Sequence, residues 1–113
     1  MQEHIQNELA SFIANCDWEK IAPHFKEDAA YRVLDWIGCA VAGEHYPQVE
    51  IAQKYFIENG DQGNSTVIGH QTKCSPRTAA FLNGIAGHVC ELDDGHRTAI
   101  GHPGSCLLYT SDA

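Results

Sequence analysis

Apolar positions recur at helical spacing from the start of the chain. Ile5, Leu9, Phe12, Ile13 and Cys16 return every three or four residues, which predicts an amphipathic helix over residues 3 to 15 with Glu3 and Glu8 on its polar side. Trp18 and Ile21 then fall in a short turn that Pro23 closes. A second helix is predicted from Lys26 to Ala42, where Ala29, Ala30, Val33, Leu34, Ile37 and Val41 form the inward set. Glu27 and Asp28 fall in its first turn, where the helix dipole favours acid, and Gly43 ends it. Gly38, Ala40 and Ala42 are small enough to let another backbone come close, the mark of a helix in a crowded bundle. The third helix, Pro47 to Asn59, has proline in its first turn, Ile51, Ala52, Tyr55 and Phe56 facing inward, and Gly60 as its stop.

The period changes after Gly60. Thr66, Val67 and Ile68, followed by a Gly-His-Gln turn, suit a short hairpin or extended loop near residues 65 to 74. Ser75 followed by Pro76 is a helix start, the hydroxyl capping free amides and the proline taking the first turn. A fourth helix follows to about Leu92. Ala79, Ala80, Gly84, Ala86 and Gly87 make it rich in small residues, and each internal glycine costs roughly 1 kcal/mol against alanine, so close neighbours must hold it. The fold class is all-α with one short hairpin.

Composition narrows the function. At 113 residues the chain holds one domain at most. Fifteen Asp and Glu against seven Lys and Arg give a net charge of −8, which offers a nucleic-acid backbone nothing to bind. No apolar run reaches the roughly 20 residues that span a bilayer, and MQEHIQNELASF lacks the basic and apolar parts of a signal peptide, so a cytoplasmic location without membrane contact is expected. Cys16, Cys39, Cys74, Cys90 and Cys106 are odd in number and widely spaced, which predicts reduced thiols, mostly buried as small apolar residues.

Ionisable residues concentrate in HVCELDDGHRTAIGH, His88 to His102. His88 and Glu91 are placed three apart on the end of the fourth helix, and Asp93, Asp94, His96, Arg97 and His102 follow in a loop punctuated by Gly95, Gly101 and Gly104. Removing a proton next to a carboxylate needs a base within reach and a second group to stabilise or reprotonate the product. Histidine, with an ordinary pKa near 6.5, serves in either state, and close carboxylates push one another's pKa values apart. A metal is the rival use of His88, Cys90, Glu91, Asp94, His96 and His102. It is set aside because the di-iron helix pattern is Glu-x-x-His in two copies and here the order is His-x-x-Glu, once. Ordinary turn chemistry accounts for two aspartates before a glycine equally well, which leaves open a non-enzymatic helical interaction module with a solvated acidic loop. Lys73, just before the Ser-Pro start, is a further candidate cation for substrate.

LDWIGCAVAG (34 to 43), STVIGHQTKCSPRTAAFLNGIAGHVCELDDGHR (65 to 97) and HPGS (102 to 105), in that order, resemble the N-terminal part of the MmgE/PrpD family, with similarity over residues 3 to 105. That family includes 2-methylcitrate dehydratase, cis-aconitate decarboxylase and iminodisuccinate epimerase. The resemblance implies part of a large helical domain, completed in longer family chains by a smaller α+β lid. It also implies a homodimer at full length, no metal or organic cofactor, and a lyase or isomerase acting on a small di- or tricarboxylate. Carried over by position, Glu91 is the acid before the Asp-Asp pair, and His102 is the histidine of the His-Pro motif and the preferred acid/base group. Asp93, Asp94 and His96 complete the catalytic candidates, with Arg97, Gly95 and Lys73 as substrate contacts. Decarboxylases have threonine where Gly95 stands, and one extra residue precedes His102. Residues 1 to 105 are thus expected to be a partial helical domain, inactive alone, and residues 106 to 113, CLLYTSDA, a non-native tail of adapter read-through.

Overall fold

The helix starts that proline and serine announce are the ones formed. The computed structural model describes residues 2–98 and 100–104, and the tail at 106–113 lies outside them. α1 (Gln2–Ala14) is followed by a 3-10 turn at Trp18–Lys20, capped by Asp17, whose carboxylate accepts from the Glu19 amide at 3.1 Å. α2 (Pro23–Gly43) begins at Pro23 rather than Lys26, because the Ala22 carbonyl already accepts from the Phe25 and Lys26 amides at 3.0 and 3.4 Å. Glu27 and Asp28 therefore fall beyond the first turn. α3 (Pro47–Glu58) and α4 (Pro76–His88) both start on proline, and the Ser75 hydroxyl accepts from the Thr78 amide. Between them, β1 (Ser65–Thr66) and β2 (Lys73–Cys74) pair antiparallel, Ser65 opposite Cys74 and Thr66 opposite Lys73. The all-α class with one short hairpin holds.

Two compact units emerge, 1–30 and 31–113. In the first, Lys20 pairs with Asp17 at 3.3 Å and the Lys26 ammonium lies 5.0 Å from the centre of the Trp18 ring. The second holds the core. Val67, Cys74, Ala79 and Leu82 are buried together, with Ala52, Phe56 and Ile57 against them. Beside this cluster lies another, Ala40, Val49 and Ala86, flanked by Ile68, Ile85 and Val89. Asn83 ties the hairpin to α4: its side-chain oxygen accepts from the Ile68 amide at 2.8 Å and its NH2 donates to the Thr66 carbonyl at 3.0 Å.

The inward face of α2 differs from the expected one. Val33, Leu34, Ile37 and Val41 are exposed, while Cys39, Ala40 and Gly43 are buried. Close approach decides this. A Cβ on Gly43 would run into the Ala86 carbonyl, and one on Gly87 would stand 2.5 Å from Trp36 Nε1, so α2 and α4 meet where each carries almost no side chain. Ile5, Leu9, Phe12, Ile13, Ile51 and Tyr55 are likewise exposed, against expectation, since no described element covers those faces. Of the cysteines, Cys39 and Cys74 are buried, Cys90 is half-buried and Cys16 is exposed, all as free thiols. Burial pushes the Cys39 and Cys74 thiols up, helped by the Asp35 and Asp93 charges at the first and Asp61 at the second.

Gly43→Ala should therefore lower stability by about 1 to 3 kcal/mol in urea denaturation, since the atom it meets is backbone. Gly38→Ala, in the same helix with open space around it, should raise stability by up to about 1 kcal/mol through helix propensity alone. Equal effects at the two positions would contradict the close approach.

Asp61 accepts from the Ser75 amide at 2.9 Å, and that bond holds its carboxyl below the usual carboxylate range. A depressed folded pKa means the stabilisation is complete above the ordinary Asp value of about 3.9 and is lost as pH falls through the folded value. Asp61→Asn should lower stability at neutral pH, and its deficit against the parent should shrink in acid titrations below about pH 4. A deficit independent of pH would exclude the ionised bond.

Candidate functional site

The end of α4 and the loop after it build the cluster. α4 stops at His88 rather than Leu92. The Glu91 amide bonds back to the His88 carbonyl at 2.9 Å, and Glu91 takes a left-handed φ of 54°, which turns the chain out of the helix axis. Glu91 and Leu92 end up exposed, and Asp93 is drawn inward with 1% of its side chain accessible. Its carboxylate sits between two imidazoles. His88 Nδ1 lies 3.0 and 3.2 Å from the two Asp93 oxygens, and His102 Nδ1 lies 3.3 Å from Oδ2. The His102 nitrogen is buried and lacks hydrogen-bond geometry despite that short distance. The two rings meet edge to face, their centres 5.1 Å apart.

Backbone bonds hold the loop in shape. The His96 amide donates to the Gly101 carbonyl at 2.8 Å and the Ile100 amide to the His96 carbonyl at 2.8 Å, closing a small ring of chain. Asp94 secures its far end, accepting from the Gly104 amide at 2.9 Å, so this carboxylate fixes the loop. A Cβ on Gly104 would stand 2.8 Å from either Asp94 oxygen, which explains glycine there. His102 lines an open hollow of about 400 Å³ together with Gly95, His96, Arg97, Ile100 and Gly101.

Of the residues proposed from sequence, Asp93 and His102 are brought into direct opposition, and Glu91 stays at the rim, its Oε1 3.9 Å from His88 Nε2. His96, Arg97 and Gly95 share the hollow with His102. Lys73 is exposed on β2 and lines neither this hollow nor its neighbour. Sequence reasoning missed that neighbour, a cavity of about 230 Å³ in which Tyr31, Arg32, Asp35 and Trp36 of α2 face Asp93, Asp94 and Gly104. Its signal was legible: Arg32, Asp35 and Trp36 share one face of α2 in a stretch whose other residues from Val33 to Gly43 are apolar or small.

A family description, the MmgE/PrpD N-terminal domain, matches residues 7–109. The chain belongs to the MmgE/PrpD family. This MmgE/PrpD chain is also similar to the cis-aconitate decarboxylase-like protein oryM of Aspergillus oryzae, 32% identical over 105 residues. The match takes in 93% of this chain and 22% of that protein. No solved structure matches it. Among the described residues, no helix is long and apolar enough to cross a membrane.

Removing the Asp94 latch should loosen the loop without unfolding the core. Asp94→Ala is expected to speed amide exchange at Gly104 by about 10-fold or more, the loss of a charge-assisted hydrogen bond, while Leu82 and Ala86 amides stay protected. Unchanged exchange at Gly104 would mean that Asp94 does not hold the loop.

Proposed function

We propose that the family-length protein is a cofactor-independent lyase or isomerase that takes a proton from the carbon next to a carboxylate of a small di- or tricarboxylate. Loss of water, loss of carbon dioxide or return of a proton then completes the reaction. The observation that carries this reading is the buried Asp93 carboxylate held between the His88 and His102 imidazoles, with His102 opening onto a hollow. A carboxylate beside one ring nitrogen of a histidine orients the ring and leaves the other nitrogen for proton transfer, the arrangement that histidine bases use. With Nδ1 turned to Asp93, His102 presents Nε2 to a substrate. Pro103 restricts the backbone before it to extended conformations, so the main chain aims the ring.

The remaining roles follow from position. Asp93 positions both imidazoles, and His88 shares its charge. Arg97, exposed on the hollow, is the local cation for a substrate carboxylate, and Gly95 leaves room beside it. His96 shapes the loop through its backbone and presents its ring to the same space. Glu91 acts on His88 from the rim. At a net charge of −8, this stretch cannot by itself attract a polyanion, so further cations must come from the rest of a family-length chain. Such a chain is proposed to act as a homodimer in the cytoplasm, with residues 1–113 inactive alone.

In the family-length protein, assayed with 2-methylcitrate and cis-aconitate as probes, His102→Ala should lower turnover about 100- to 10,000-fold, the usual range for losing a general acid or base. Its melting temperature should change little, because a half-exposed loop histidine is a minor packing element. Intact turnover with a melting temperature lowered by many degrees would instead make His102 a structural residue.

A further inference from the structure

We propose that His88, Asp93 and His102 form a binding site for a divalent transition-metal ion of the zinc type. One ligand atom from each lies within 4.8 Å of the other two. His88 Nδ1 and His102 Nδ1 stand 3.0 and 3.3 Å from the same Asp93 oxygen. Zinc holds nitrogen and oxygen at about 2.1 Å, so ligand atoms sharing one ion sit about 3.0 to 3.4 Å apart in octahedral or tetrahedral arrangements. These two nitrogen–oxygen spacings fall in that range, and the three ligand atoms lie within 4.8 Å of one another.

The surroundings fit the same ligand. His102 Nδ1 is buried without a hydrogen-bond partner 3.3 Å from a carboxylate oxygen, and an ion bound to that oxygen satisfies the nitrogen. Glu91 Oε1 lies 3.9 Å from His88 Nε2, beyond hydrogen-bond reach, and adds a negative charge beside the ring. Asp35 and Asp94 share a cavity wall with Asp93 against a single cation there, Arg32, so carboxylates outnumber cations on that wall. Two imidazoles and one carboxylate suit zinc and its first-row neighbours better than magnesium or calcium. Three protein ligands leave a position open, and the hollow beside His102 gives water or a substrate oxygen access to it. The ion is an added ligand of the chain rather than part of the chemistry proposed above. Occupation would release His102 from the hold of Asp93 and so inhibit proton transfer, a consequence that rests on the acid/base reading. Binding itself does not.

The test titrates the 113-residue chain with zinc and cobalt(II) chlorides near neutral pH, reading stoichiometry by calorimetry and ligand type by the cobalt spectrum. One ion per chain is expected, with weak visible cobalt bands and no thiolate charge-transfer absorption. His88→Gln and His102→Gln should each weaken binding at least about 10-fold, and Glu91→Gln should weaken it measurably through loss of a nearby negative charge. Circular dichroism of each variant separates lost ligands from lost fold, and Glu91→Gln, at an exposed rim position, guards against a buried variant that fails to fold. Binding unchanged in both histidine variants, a charge-transfer band that moves the ion to Cys39 or Cys90, or no saturable binding would each overturn the site. Turnover inhibition is measured separately in the family-length protein, where zinc binding without inhibition would count against the acid/base role alone.

Discussion

α4 can be approached from three sides because so much of it is small. Ala79, Ala86 and Gly87 let the hairpin, α3 and α2 come close, and Leu82 fills the space between them. A helix of that composition has weak propensity of its own, so its stability comes from neighbours. The dependence runs both ways. The position of His88 at its C-terminal end is only as well defined as the packing of Gly43 on Ala86 and Trp36 on Gly87, two and one residues before it. The site is in this sense held by the core rather than attached to it.

How much of this was legible in the sequence depended on how local each cause is. Helix starts at Pro47 and Ser75-Pro76 were readable, because the rigid proline φ and the serine cap act within one turn. The end of α4 was not, since Val89 and Leu92 continue a helical pattern and nothing in the sequence shows that Glu91 adopts a left-handed conformation. That missed turn also hid which carboxylate is central. Read as a helix, His88 pairs with Glu91; folded, it meets Asp93 in the interior and keeps Glu91 only at the rim. The inward face of α2 failed for a different reason. Periodicity identifies apolar residues, whereas the contact with α4 is settled by size, and Ala40 and Gly43 win it over Leu34 and Ile37.

Charge and geometry pull in opposite directions at the cluster. Asp93, Asp94, Asp35 and Glu91 gather near one another in a chain already strongly acidic. Asp94 is occupied with the Gly104 amide and Asp93 faces two imidazoles, so these two carboxylates have structural partners before any ligand arrives. The matched relative is several times longer than this chain, which spans 22% of it.

All three groups of the cluster lie between positions 88 and 102, and the ring from His96 to Gly101 closes within that stretch. Closure entropy grows only with the logarithm of loop length, so assembling them costs little once α4 ends where it does. Short-range assembly is fast once α4 is seated against its neighbours. The catalytic cluster proposed here is consequently compact in sequence: one short segment carries its reactive groups, while the packing of Gly43 and Trp36 on α4 sets the direction in which they point.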